Sequence, residues 1–158
     1  MQKVLNAGQV AAFYHDAFVQ KQVDHFRKIA LPSLPLNGVV VDVGGGCGYF
    51  ASAISKELNV PVRVIDMDPV SVNVAKELGI DAMVGDALLP NKFGDEGIAC
   101  FNLILHHLVS GTEKDTLALQ GKAISAWRDN GEKVFVNEYI YESWFGDVSG
   151  WLLYQITK

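Results

Sequence analysis

Along the first 30 positions, apolar residues recur at roughly three- and four-residue spacing, at Val10, Phe13, Ala17, Val23, Phe26 and Ile29, with charged residues between them. That period gathers them on one face of a helix. Pro32 and Pro35 end it. From residue 39 the pattern changes, since Val39-Val40-Val41-Asp42-Val43 is β-branched and nearly all apolar, as befits a strand covered on both faces of a parallel sheet. A second helical face follows over 49–58, on Phe50, Ile54 and Leu58, and Pro61 precedes a second strand, Val62-Arg63-Val64-Ile65. Asp68-Pro69 supplies the N-cap and first-turn proline of the next helix, and Gly79 suits its exit. Short strands are predicted around 82–84 and 101–105. Ser110-x-x-Glu113 reads as a capping box for a helix carrying Leu117, Ile124 and Trp127 and ended by Asn130-Gly131. A fifth strand is expected over 134–141.

Strands alternating with helices predict a doubly wound, mostly parallel α/β sheet with helices on both faces and a ligand site outside the carboxyl ends of the strands. The 158 residues suit one domain, with 1–37 as an N-terminal helical extension or lid and 38–158 as the sheet-bearing part. A net charge of −5 offers no basic face for a phosphate backbone, which disfavours nucleic acid as a partner. The apolar runs fall short of the ~20 residues that span a bilayer, and no secretory signal is evident, so the expected location is cytoplasmic, with no membrane partner. Cys47 and Cys100 have neither disulfide-framework nor metal-ligand spacing, and no metal is expected.

The strand-end rule selects Gly44–Gly48, Asp66, Asp86 and His106-His107 as candidates. Gly44-Gly45-Gly46-Cys47-Gly48 joins the best strand to a helix, where missing Cβ atoms let a ligand reach the backbone and the helix N-terminus. Gly46-x-Gly48-x-x-Ala51 also meets the looser dinucleotide fingerprint, so the glycines alone leave a nicotinamide ligand open. Asp66 lies about twenty residues beyond them, where a carboxylate accepts ribose hydroxyls. Hydrogen bonds to charged groups contribute roughly 1.5–3 kcal/mol each.

The segments VVVDVGGGCGYFA, VRVIDMDP, MVGDAL and FNLILHHL, in that order, resemble the class I S-adenosylmethionine-dependent methyltransferases. The resemblance implies a Rossmann-like fold with S-adenosylmethionine as cofactor. It implies that Gly44, Gly46 and Gly48 line the methionine moiety, with Asp42 beneath it, Asp66 on the ribose and Met67 on the adenine. Asp86 would accept from the adenine amino group, and Ala87 would offer its amide to the ring. His106, and less so His107, would stand on the acceptor side, where a neutral imidazole can take a proton from a hydroxyl. In the N-terminal aromatic group of Phe13, Tyr14, His15 and Phe18, Tyr14 is the candidate for touching the cofactor, while Phe13 and Phe18 are expected in the core. Asn102 departs from the family's acidic residue near the start of the fourth strand.

Such enzymes continue past the fifth strand with a helix and an antiparallel strand pair, so the sheet is expected to be truncated there. Its open edge would then pair with a second copy, giving a homodimer, or with the tail bearing Trp144, Phe145, Trp151, Leu152 and Tyr154. Three functions follow: methyl transfer to a small-molecule acceptor, a catalytically silent S-adenosylmethionine-binding or partner-pairing module, and an NAD-dependent oxidoreductase fragment.

Overall fold

The computed structural model describes residues 16–90, 93–128 and 133–138. Helix α1, Asp16–Ile29, leads through a short 3-10 turn, Leu31–Ser33, into β1, Val39–Val43. Helix α2, Tyr49–Leu58, precedes β2, Val62–Asp66; α3, Pro69–Glu77, precedes β3, Asp81–Val84. Strand β4 is Glu96–Asn102, followed by a 3-10 turn, Leu105–His107; α4, Glu113–Arg128, then returns the chain to β5, Lys133–Asn137. Among the described residues the four strand pairings are all parallel, in the order β3-β2-β1-β4-β5. The order reverses between β1 and β4, the topological switch point at which such sheets bind ligands. None of the helices among the described residues is long and apolar enough to cross a membrane.

The period of two along each strand divides the core. Val40, Val64, Ile98 and Cys100 pack on α1, α2 and α3, whereas Val41, Val43, Ile65, Ala99 and Phe101 pack on α4. On the first face, Phe26 meets Phe50 and Phe135 edge-on, with ring centres 6.1 and 5.6 Å apart. On the second, the fully buried Trp127 donates from Nε1 to the carbonyl of Ala87 at 2.9 Å, tying α4 to the loop after β3. Arg63 is the basic residue of β2. Its guanidinium is consumed near the amino ends of the strands by Asp81 and Asp95, and it lies 4.4 Å from the Phe93 ring centre.

Several expectations are corrected. The fourth strand ends at Asn102 rather than starting near it, because Leu103 turns into the left-handed region (φ 58°) and residues 105–107 coil into the 3-10 turn. The helix after it is capped by Thr112, whose Oγ1 accepts from the Asp115 amide at 3.1 Å, not by Ser110. On α1 the buried stripe is Val19, Val23 and Phe26, continued by Ala30 just past the helix, while Ile29 and Phe18 are exposed. The fifth strand is described only as far as Asn137. Residues 139–141 and the aromatic tail lie outside the described residues, as do Phe13, Tyr14 and His15.

Candidate cofactor site

The glycine loop leaves β1 at Gly44 and enters α2 after Gly48, with three left-handed glycines at φ 70°, 53° and 74° for Gly44, Gly46 and Gly48. They serve different ends. A Cβ on Gly44 would overlap the Ile104 side chain, and one on Gly48 would stand 2.9 Å from the Ala75 Cβ, so these two let the chain pack. Gly46 alone looks into open space. Gly46→Ala should therefore cost about 1–2 kcal/mol, the strain of an L-residue in the left-handed region, and Gly44→Ala clearly more, because Ile104 must also move. Urea unfolding of the two variants checks this ordering; equal losses would contradict it.

Asp66 closes β2 and holds the loop. Its Oδ2 accepts from the Gly46 amide and its Oδ1 from the Asp68 amide, both at 2.8 Å, while only 7% of the residue is exposed. A carboxylate has about four lone-pair positions, so two bonds leave capacity for ligand hydroxyls. Asp68 is the helix cap, accepting from Val70 and Ser71, and it forms a further bond with the Ser71 hydroxyl. Helix α2, by contrast, opens without a side-chain cap among the described residues, which leaves its positive end available to an anionic group.

Asp42 lies beneath this loop, fully buried, with neither oxygen hydrogen-bonded among the described residues. A Cβ on Gly45 would sit 2.5 Å from its Oδ2. Burial, and then the charge of Asp66, push the Asp42 carboxyl up to about 7.

A recess of about 30 Å³ adjoins the loop, lined by Gly44, Ile65, Asp66, Met67, Gly85, Ala87, Ile104, His107 and Leu108. Five of the expected site residues thus meet at the carboxyl ends of the strands: Gly44, Asp66, Met67, Ala87 and the less favoured His107. Asp86 borders them, but its Oδ1 accepts from the Leu88 amide at 2.8 Å and so also braces its own turn. His106 stands outside the recess wall, exposed, with its ring centre 4.1 Å from that of His107. Burial, and then His106, lower the pKa of His107, which favours its neutral form.

Ile65, Gly85, Ile104 and Leu108 also line the recess, and the sequence reading named none of them for it. Glu138 follows β5 directly, where the strand-end rule applies. A larger cleft of about 540 Å³ lies elsewhere, lined by Ile29, Ser33, Ile98, Arg128, Lys133 and Phe135. Among the described residues that line it there is no carboxylate and no glycine turn.

The fold now has known counterparts. The structure superposes on SAM-bound CalS10, an amino pentose methyltransferase from Micromonospora echinaspora, with a TM-score of 0.63, covering 89% of this chain and 60% of that one at 14% identity. It superposes on Streptomyces venezuelae DesVI with a TM-score of 0.68, covering 92% of this chain and 62% of that one at 16% identity. The fold is that of the class I S-adenosylmethionine-dependent methyltransferases. In sequence, the chain is 35% identical over 75 residues to a ribosomal protein L11 methyltransferase from Allorhizobium ampelinum, a match covering 48% of this chain and 25% of that protein. The chain thus spans about a quarter of the curated relative and about three fifths of these solved methyltransferase-fold chains. No family model matches it.

Proposed function

We propose that this chain is the cofactor-binding portion of an S-adenosylmethionine-dependent methyltransferase acting on a small-molecule acceptor. The observation that carries the reading is Asp66, a shielded strand-end carboxylate that grips the glycine loop and lines the recess with oxygen capacity to spare. Around it the residues fit the ligand. Ile65, Met67, Ala87 and Leu108 offer apolar walls for a purine, and the uncapped start of α2 suits a carboxylate. The recess is small, so most of such a ligand would lie across the open side of Gly46.

S-Adenosylmethionine supplies a methyl group on a sulfonium, an already activated leaving group. What remains for the protein is to bind, orient and exclude water, which accounts for a well-built ligand loop without an elaborate catalytic cluster. CalS10, whose acceptor is an amino pentose, overlaps most of this chain and supports a small-molecule acceptor. The oxidoreductase alternative rests only on the looser glycine fingerprint.

S-Adenosylhomocysteine should raise the melting temperature of the protein, corresponding to about 2.7 kcal/mol at a hundred times its dissociation constant, while NAD should not. A shift with NAD and none with S-adenosylhomocysteine would reverse the assignment.

A further inference from the structure

We propose that Glu138 and His106 form the proton-accepting pair of this site, so that the methyl acceptor is a protic nucleophile, a hydroxyl or an amine. The inference rests on the methyl-transfer reading above. Glu138 Oε1 accepts from the Leu105 amide at 2.6 Å, and Oε2 lies 2.9 Å from Nδ1 of His106. The two bonds fix the carboxylate, whose side chain is 16% exposed against 54% for His106. The shielded member of the pair is therefore the carboxylate and the accessible one the imidazole.

A carboxylate only accepts, so whenever the ring is neutral Nδ1 carries the hydrogen and Nε2 keeps its lone pair. Among the described residues, no hydrogen bond occupies Nε2. The ring also packs at a tilt against His107, which lines the recess beside Gly44 and Asp66, so the pair stands one side chain away from the candidate ligand.

In the reaction, the acceptor's heteroatom gains the methyl carbon and gives its proton to Nε2 of His106. The electron pair of the broken methyl–sulfur bond stays on sulfur, leaving a neutral thioether, and the new imidazolium faces the Glu138 carboxylate. His106 is the catalytic residue here. Glu138 is a positioning residue that sets the tautomer, the role a buried carboxylate plays behind a catalytic histidine.

Glu138→Gln tests this without removing the brace on Leu105. Its carbonyl can keep the Leu105 amide while its NH2 faces Nδ1, which must then accept, moving the ring hydrogen to Nε2. Long-range ¹⁵N–¹H spectra at pH 8 should show His106 as the Nδ1–H tautomer in the wild-type chain and as Nε2–H in the variant. S-Adenosylhomocysteine should bind both within about twofold and should shift the ring signals of His106 and His107. A wild-type Nε2–H tautomer, an unchanged tautomer in Glu138→Gln, or bound ligand that leaves His106 unmoved would overturn the proposal. If the ligand fails to bind at all, the methyl-transfer reading falls and this proposal with it, whatever the tautomers show.

Discussion

Replacing Asp42 with asparagine is expected to stabilise the protein at pH 8 and to change little at pH 3.5. The carboxyl is fully buried without a hydrogen-bond partner among the described residues, and burial together with Asp66 raises it from 3.8 to about 7. A carboxyl raised on folding carries no penalty below its unfolded value, where both states are protonated. Stability is then lost as pH climbs through about 4 to 7, because the unfolded chain releases the proton that the folded chain retains. At about 1.36 kcal/mol per pH unit the penalty above pH 7 is roughly 4 kcal/mol, and the neutral isostere should recover most of it. Urea unfolding of both proteins across this range measures the effect. A difference independent of pH would show that Asp42 is not held protonated by its surroundings.

Asp66→Ala should produce the largest loss of ligand affinity, at least tenfold for S-adenosylhomocysteine, because it removes the charged acceptor that lines the recess. The same substitution strips the acceptor from the Gly46 and Asp68 amides. Each buried donor left without a partner costs about 1–3 kcal/mol, so the variant should also unfold more easily. Asp66→Asn separates the two effects, since its carbonyl can still serve one amide while the charge is gone. Calorimetric titration beside urea unfolding resolves them. Unchanged affinity in Asp66→Ala would reduce Asp66 to a brace of the loop.

The central strands were legible because their composition is extreme. Val39–Val43 is valine at every position but Asp42, Val62–Asp66 sets Val62, Val64 and Ile65 around a single arginine before its closing aspartate, and glycine, proline and aspartate mark the turns beside them. Strand β4 was harder to read, because Gly97 and Ala99 lack strand-forming side chains. The reason for Gly97 is tertiary: a Cβ there would stand 3.0 Å from the Gly38 Cα and 2.8 Å from the Leu34 side chain. No local pattern announces such an approach. The 101–105 stretch looked like a strand from its apolar character alone, yet Leu103 turns out of the sheet and its amide donates to the Asn137 carbonyl.

In the site, Asp66 and the glycines were visible from spacing, but their division of labour was not. That only Gly46 faces open space depends on Ile104 and Ala75, which are distant in sequence. Asn102 shows the same limit. It donates to Gln22 on α1 and accepts from Asn137 on β5, a bridge of side chains that explains a polar residue at a strand end better than any family position does.

The most direct test of the cofactor assignment is titration of ¹⁵N-labelled protein with S-adenosylhomocysteine, read residue by residue. The expected result is saturable shifts in the amides of Gly44–Tyr49, Asp66–Met67, Gly85–Ala87 and His107, with Ile29, Arg128 and Lys133 unmoved. Shifts centred on those last three residues, which line the larger cleft, or none at saturating ligand, would contradict it.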